Sequence, residues 1–253
     1  MRPAVDFGWG RDTFLEPGSE FPRFTLEKRL LYLRRDLAPR AAHVFQRLTE
    51  LRGKSNGAGN RQSAYIVDLE GGPVMYARRS RRGGLIRFFV KDIYFGARPR
   101  PVRELTIAAE AYRRGIPVAE PLGAMVEWVA PAIYRGIFLT RAMPGMTLWD
   151  FLRTDDDELV RRHVLEHSRL TIDSMHRGGL LHADLNLHNL FVTKVGESFA
   201  TVIIDLDKSR LFKTSVAPKH RRHNLARLRR SARKLDFSGR YLDARALAVL
   251  TAP

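Results

Sequence analysis

The segment HADLNLHN, residues 182–189, carries side chains whose types and spacing suit phosphoryl transfer. Asp184 stands five residues before Asn189, and a second aspartate, Asp205, follows the β-branched run Val202–Ile204. In phosphoryl transfer, one carboxylate accepts the proton of the attacking hydroxyl, while an amide and a second carboxylate hold the metal ion that bridges the phosphates. The order and spacing of these three groups therefore indicate a phosphotransferase site.

These polar groups converge only if the chain reverses direction between Asn189 and Asp205. Leu190–Val192 has the composition of a short strand, the residues around Gly196 that of a tight turn, and Thr201–Ile204 that of a buried returning strand. Each of the first two polar residues, taken alone, would be an ordinary turn former. Asp205 is more informative, because a carboxylate at the end of an apolar run has a desolvation cost.

The composition is that of an enzyme-sized globular chain. The chain has 253 residues, of which 44% are hydrophobic, and it has no cysteine. It can therefore bury a large core, but it cannot form a disulfide, a thiolate zinc site or a cysteine nucleophile. Residues 1–12 lack the apolar core of a signal peptide, and no stretch reaches the roughly 20 apolar residues of a membrane span. We expect a cytoplasmic protein, either soluble or peripheral on a membrane.

The net charge of +17 indicates a polyanionic partner, such as an anionic membrane surface or lipid. The charge is clustered in two blocks, Arg78–Arg82 and Lys208–Lys234, and the second block contains no acidic residue. Within it, apolar residues recur at helical spacing: Leu225, Leu228, Ala232 and Leu235. We therefore predict an amphipathic helix with a basic face, whose leucines pack on the body of the protein.

The N-terminal part of the chain has the pattern of a small β-rich unit. Residues 1 to about 25 have the composition of an irregular leader, and Arg40–Leu51 that of a short helix. A glycine-rich loop, residues 53–60, then joins the predicted strands Ser63–Leu69 and Val74–Arg78. Glycines at such a hairpin tip allow backbone amides to approach phosphate oxygens closely.

A second series of elements completes the predicted organisation. It comprises a helix over Val102–Arg114, strands over Leu122–Trp128 and Ile133–Thr140, a hinge at Arg141–Gly145, and helices over Leu148–Arg153 and Asp157–Met175. The pattern predicts an α+β fold with two lobes. Residues 1–140 would form the leader and N-lobe, and residues 141–253 the C-lobe.

At these positions the sequence resembles the lipopolysaccharide kinase family. The resemblance rests on HADLNLHN and on Ile204–Lys208, and it extends over roughly residues 50–235. Supporting segments are Arg82–Leu85, the helix that bears Glu104, the segment Gly115–Pro121 and the basic segment Asn224–Ser231. Arg82–Leu85 and Asn224–Ser231 resemble segments found in the branch of the family that phosphorylates 3-deoxy-D-manno-octulosonic acid (Kdo).

The resemblance implies a protein-kinase-like fold, with a small β-rich N-lobe and a mainly helical C-lobe. It implies an enzyme on the cytoplasmic face of the bacterial inner membrane that uses ATP and Mg²⁺ to phosphorylate the 4-hydroxyl of Kdo in Kdo-lipid A, during lipopolysaccharide biosynthesis. In this family pattern, Asp184 is the catalytic base and His182 braces the catalytic loop. Asn189 and Asp205 hold the metal.

The same resemblance assigns the nucleotide site, with one departure. The loop bearing Gly57 and Gly59 would cover the phosphates, and Glu104 would pair with a cation on the preceding sheet. That cation is expected to be a lysine, but Arg78 occupies its position, which changes reach and geometry. The protein-kinase motif Asp-Phe-Gly is replaced by Asp205-Leu206-Asp207, and no Ala-Pro-Glu segment follows, so a protein substrate is not expected.

Three other functions are compatible with parts of this pattern. One is a small-molecule kinase of the same fold, acting on heptose or on an aminoglycoside, although a basic protein suits an anionic acceptor better. Another is a non-catalytic, kinase-shaped adaptor that binds an anionic membrane through its basic blocks. The third is nucleic-acid binding, which is disfavoured because stacking aromatic residues are not interleaved with the basic ones.

Overall fold

The computed structural model of the protein describes residues 17–54, 64–69, 71–79, 94–96 and 98–252. Gly57 and Gly59 lie outside the described residues, as do Arg81 and Arg82 of the first basic block.

Most of the described residues before position 142 form one antiparallel sheet with two helices. The strands are β1 Arg23–Leu26, β2 Arg29–Leu33, β3 Ala64–Val67, β4 Met75–Arg79, β5 Tyr94–Phe95, β6 Pro121–Ala130 and β7 Ile133–Arg141. Their spatial order is β1-β2-β6-β7-β4-β3, and β5 also pairs with β7. A 3-10 turn at Arg35–Arg40 leads into helix α1, Ala41–Lys54, and helix α2 is Arg100–Arg113.

Helix α2 carries Glu104 into the centre of the molecule. Proline at the start of the helix needs no intrahelical N–H partner, which explains why the helix begins beside Pro99 and Pro101. Most of its length is buried, including Leu105 and Ala108, and Gly115 ends it with a φ of 72°. The apolar sides of α2 therefore fix the position of its one buried acid, Glu104.

The described residues from position 146 onward are mainly helical. Helices α3 Leu148–Thr154, α4 Glu158–Arg177, α5 Pro218–Leu235 and α6 Ala244–Leu250 surround short strands β8 Met146–Thr147, β9 Leu180–Leu181, β10 Leu190–Val195, β11 Ser198–Ile203 and β12 Arg210–Leu211. Strand β10 pairs with β8 and β11, and β9 pairs with β12. The hairpin predicted around Gly196 is therefore present, with Gly196 at a φ of 59°.

Among the contacts that join the β-rich and helical parts, two involve backbone segments of the chain. In the first, Ile203 at the end of β11 donates to Pro117 O and accepts from Ala119 N, at 2.8 and 3.1 Å. In the second, residues 141–145 run between the two parts, and Gly145 has a φ of 141°. A Cβ at Gly145 would lie 2.1 Å from Val192 O, so only glycine allows the chain to pass so close to β10.

The observed elements agree with an α+β fold that has a β-rich and a mainly helical part, as predicted. The division at residues 140 and 141 stays a prediction. Among the described helices, none combines the length and the apolar composition that a bilayer crossing requires.

Two details of the predicted pattern were wrong. The irregular leader was extended to residue 25, but β1 begins at Arg23 and pairs with β2, which was not predicted. β1 lies at the edge of the sheet, where charged residues are common, and in the neighbouring β2 only Leu31 and Leu33 are fully buried. Leu235, predicted to pack on the body, is 36% exposed because it is the last residue of α5.

Candidate active site

The catalytic loop is held in place by a buried histidine. His182 is only 1% exposed, and its Nε2 lies 3.0 Å from the carbonyl oxygen of Ile204, directly before Asp205. Its Nδ1 accepts the backbone N–H of Asp184 at 3.1 Å, so the ring proton must be on Nε2, which donates to Ile204 O. His182 is therefore a neutral brace that joins the catalytic loop to the segment containing Asp205.

The two asparagines of the loop complete its internal hydrogen bonds. The Nδ2 groups of Asn186 and Asn189 both donate to the carbonyl oxygen of Asp184, at 2.9 and 2.8 Å. The backbone of Asn189 then pairs with Ile204, whose N–H donates to Asn189 O at 3.0 Å. Asn189 and Asp205 are thus held close together, with the amide nitrogen of Asn189 engaged and its side-chain oxygen left for another partner.

Asp205 has a backbone conformation that is uncommon for a residue with a side chain. Its φ is 60°, in the left-handed region, which costs about 1 kcal/mol and is best tolerated by Gly, Asn and Asp. Its carboxylate is 45% exposed, and Oδ1 lies 3.3 Å from Nη2 of Arg78. Strain of this kind commonly occurs at functional sites, which makes the turn after β11 a candidate ligand-binding segment.

Arg78 and Glu104 form a buried ion pair beside Asp205. Nη2 of Arg78 donates to both oxygens of Glu104, at 2.5 and 2.7 Å, and Glu104 is 3% exposed. Burial raises the pKa of the Glu104 carboxyl, and the guanidinium of Arg78 opposes that effect by favouring the carboxylate. The predicted pair between Glu104 and a cation on the sheet is therefore formed, with Arg78 as the cation in place of the expected lysine.

A second buried network joins α5 to the catalytic loop. Asn224 of α5 is 3% exposed; its Nδ2 donates to His182 O at 2.9 Å, and its Oδ1 lies 3.0 Å from Nε2 of His176 in α4. Because Asn224 Oδ1 is an acceptor, His176 is the donor in this pair. One amide thus connects two helices to the backbone of the catalytic loop.

The carboxylate of Asp184 has a cationic neighbour from the same helix. Nη1 of Arg227 lies 3.2 Å from Asp184 Oδ1, and the side chains are 43% and 70% exposed. Sequence reasoning did not single out Asn224 or Arg227 as site residues, although both occur in the basic segment Asn224–Ser231. Their roles depend on where α5 lies, and helical periodicity alone does not show that.

An apolar cavity of about 350 Å³ opens beside the Arg78–Glu104 pair. Arg78 and Asp205 lie on one side of it, and the connecting residues Arg141–Met143 and Gly145 on another. The rest of the lining is mainly apolar and comprises Ile66, Tyr76, Ala108, Ala119, Phe138, Phe191, Ile203, Ile204 and Leu206, with Thr140 and Thr147. A largely apolar cavity with a few charged groups in its walls is a general feature of small-molecule sites.

The oxygen atoms near this cavity suit a hard cation such as Mg²⁺. Among the described residues, no three His, Cys, Asp or Glu side chains are grouped so that they could hold a metal ion alone. Asp205 and Asn189 instead offer one carboxylate and one amide oxygen. Mg²⁺ is commonly bound by one or two carboxylates together with phosphate oxygens of a substrate, so these two residues fit it.

A loop braced by His182, a second carboxylate after a β-hairpin and a buried cation–acid pair are the features expected of a kinase-like phosphotransferase. Residues 48–247 match the model of the lipopolysaccharide kinase (Kdo/WaaP) family. The chain belongs to this family. It is therefore a lipopolysaccharide kinase, a phosphotransferase whose acceptor is an alcohol group.

Curated relatives agree with this assignment. The chain is 37% identical over 182 residues to 3-deoxy-D-manno-octulosonic acid kinase of Xylella fastidiosa (strain M23), with 70% of this chain and 68% of the relative covered. It is 31% identical over 180 residues to the same kinase of Xanthomonas campestris pv. campestris (strain B100), with the same coverage. A solved structure of WaaP in complex with acyl carrier protein aligns with a TM-score of 0.49 and 17% identity, over 76% of each chain.

The buried histidines predict a loss of stability in acid. Burial lowers the pKa of His176 and of His182 from the usual value near 6.5. Below that pH the unfolded chain binds protons that the folded protein does not. The free energy of unfolding therefore has its full value above pH 6.5 and falls as the pH decreases. One pH unit below 6.5, each histidine lowers the free energy of unfolding by up to about 1.4 kcal/mol.

Urea unfolding at a series of pH values measures this effect. His176→Gln should show a smaller loss of unfolding free energy between pH 7.5 and 5.5 than the unchanged protein. His188→Gln, which alters an exposed histidine in the segment 182–189, is the control and should retain the full loss. An identical pH dependence in all three proteins would contradict the assignment of neutral His176.

Proposed function

We propose that the protein transfers the γ-phosphoryl group of ATP to a hydroxyl of Kdo in the inner core of lipopolysaccharide, the 4-hydroxyl of Kdo in Kdo-lipid A. The observation that carries this proposal is the backbone pairing of Asn189 with Ile204, which brings the loop of Asp184 next to Asp205 at the edge of the apolar cavity. Family membership supplies the acceptor class, because the curated relatives are named as kinases of this sugar acid.

The cavity would hold the nucleotide. Its volume of about 350 Å³ lies within the range of small-molecule sites, and its apolar walls suit a flat heteroaromatic base. Arg78 lies in the wall with its guanidinium oriented by Glu104, so it would contact phosphate oxygens as the usual lysine does. The loop of Gly57 and Gly59 would cover the phosphates.

Asp205 and Asn189 would hold Mg²⁺ at the phosphate end of the cavity. When bound, the ion neutralises phosphate charge and favours attack on the γ-phosphoryl group. The protein's own contribution is to keep the two oxygen ligands together, through the bonds of Asn189 to Asp184 O and of Ile204 to Asn189 O.

Asp184 would act as the base for the acceptor hydroxyl. Its carboxylate is 70% exposed, so an incoming sugar can reach it, while three side chains fix its backbone: His182, Asn186 and Asn189. A fixed carboxylate orients the hydroxyl for in-line attack and takes its proton as the new P–O bond forms.

Replacement of Asp184 by asparagine should abolish most of the transfer. The substitution keeps the size of the side chain and removes the proton acceptor, so kcat should fall by about 10²-fold or more. Transfer of labelled phosphate from ATP and Mg²⁺ to purified Kdo-lipid A measures the effect, and ATP affinity should change little.

Asp243→Asn is the matched control for this experiment. Asp243 caps α6, far from Asp184 in the sequence, and asparagine caps a helix equally well. If the unchanged protein transfers phosphate to another lipopolysaccharide sugar and not to Kdo, the proposed acceptor is wrong. Full activity of Asp184→Asn would refute its role as base.

The same proposal includes binding to the cytoplasmic face of the inner membrane, where a lipid-linked acceptor and ATP meet. Helix α5 contains no acidic residue, and Phe237, two residues beyond its end, is 97% exposed. The turn is firmly held, because Asp236 accepts the backbone N–H groups of Arg240, Tyr241 and Leu242. An exposed aromatic ring beside a basic helix suits the interface of an anionic bilayer.

Co-sedimentation with phospholipid vesicles tests the membrane proposal. We expect binding to vesicles containing phosphatidylglycerol and little binding to pure phosphatidylcholine. Phe237→Ser should weaken binding by about tenfold, because the ring no longer enters the interface. Leu159→Ser is the control, since Leu159 is 78% exposed on α4, and equal losses in the two variants would contradict a specific role for Phe237.

A further inference from the structure

The catalytic carboxylate is already occupied by a cation in the absence of an acceptor. Arg227 Nη1 lies 3.2 Å from Oδ1 of Asp184, and Arg227 is the one cation that pairs with Asp184 among the residues that the structure describes. Both side chains are substantially exposed, and exposed pairs of this kind contribute little to stability. Stabilisation of the fold therefore does not explain why an arginine lies here.

The backbone of Arg227 is fixed while its side chain can move. Asn224, one turn earlier, is bonded to the carbonyl oxygen of His182, and Leu225 and Leu228 on either side of Arg227 are buried. The Cα of Arg227 therefore stays beside the catalytic loop. Its guanidinium, at the end of a long stem, can exchange one oxygen ligand for another.

The position of this guanidinium limits where on the acceptor a partner can lie. A hydroxyl that Asp184 activates must come within roughly 3 Å of its carboxylate. Since Arg227 is 3.2 Å from Oδ1 of this carboxylate, a hydroxyl that contacts the same oxygen lies within about 6 Å of the guanidinium. A group bound by Arg227 must then belong to the sugar that carries the reacting hydroxyl, or be joined directly to it.

A carboxylate is the group that best matches this position. The planar guanidinium binds a carboxylate through two parallel N–H···O bonds, and helix α5 supplies positive charge without any acid. We propose that Arg227 is a binding residue for the carboxylate of the acceptor sugar acid, and that it exchanges Asp184 for this group when the acceptor binds. This inference rests on the proposed function, and it predicts selection of an acidic sugar over a neutral heptose.

The steps of the exchange can be stated from the contacts. In the free protein, Arg227 holds one oxygen of Asp184. In the complex, it holds the sugar carboxylate, and the released oxygen of Asp184 accepts the hydroxyl proton. A neutral sugar provides no ligand for the guanidinium, so the pair with Asp184 persists and the base stays occupied.

Acceptor kinetics test this proposal with matched sugars. The probes are 3-deoxy-D-manno-octulosonic acid and its methyl ester, which differ in the charge of one group. Arg227→Gln should raise the KM for the acid by about tenfold or more, with little change in the KM for ATP, and should abolish the preference for the acid over the ester. Arg227→Lys should restore part of the preference, since it keeps the charge without the planar fork.

Arg222→Gln is the control variant. Arg222 is exposed on the same helix, but it lies about 140° around the axis from Arg227, so its loss removes the same charge elsewhere. The control should keep the KM and the preference of the unchanged protein. The proposal would be overturned if Arg227→Gln retained the preference for the acid over the ester, or if it lowered the turnover of both sugars equally. Arg227 would then be a residue that only positions Asp184.

A binding measurement separates this inference from the proposed function. If the unchanged protein transfers no phosphate to either sugar, calorimetric titration with the free acid and its ester still tests the carboxylate site. Tighter binding of the acid, lost in Arg227→Gln and kept in Arg222→Gln, would support the site while the proposed reaction fails. Equal binding of the acid by Arg227→Gln and Arg222→Gln would refute the carboxylate site.

Discussion

The ion pair between Arg78 and Glu104 is the constraint on which the rest of the site depends. It joins three elements, because Arg78 lies in β4, Glu104 in α2, and Arg78 also contacts Asp205 after β11. A carboxylate buried as deeply as that of Glu104 is stable in its charged form only beside a cation, so removal of Arg78 leaves an unpaired charge in the interior. The pair therefore fixes the wall of the cavity that contains Arg78 and Asp205.

The opposite side of the site is supported by neutral hydrogen bonds. His182 joins the catalytic loop to Ile204, and Asn224 joins the same loop to His176 and to helix α5. Neutral groups are suited to this place, since they hold the loop without adding charge next to Asp184. Of the described residues, Arg227 is the one cation paired with Asp184, on the side where we propose that the acceptor binds.

Much of the site could be predicted from the sequence, since its chemistry depends on residues close together in the chain. The hairpin that leads from Asn189 to Asp205 was predicted from the local pattern and is present. Asn224 and Arg227 were not predicted, because their contacts depend on the docking of α5 more than thirty residues away. Edge strand β1 was missed for a related reason: its four residues include none that is buried, and so no alternation marks it.

The proposed function depends most directly on the binding of the nucleotide phosphates by Arg78, which Glu104 orients. The measurement that tests it is the affinity for ATP with Mg²⁺ in Arg78→Met, Glu104→Met and the double variant, each first shown to be folded by thermal unfolding. We expect each single substitution to weaken binding by about tenfold or more, and the double variant to be no weaker than the poorer single variant, because the two residues act as one unit. Unchanged affinity in folded Arg78→Met, or strictly additive losses, would contradict the account.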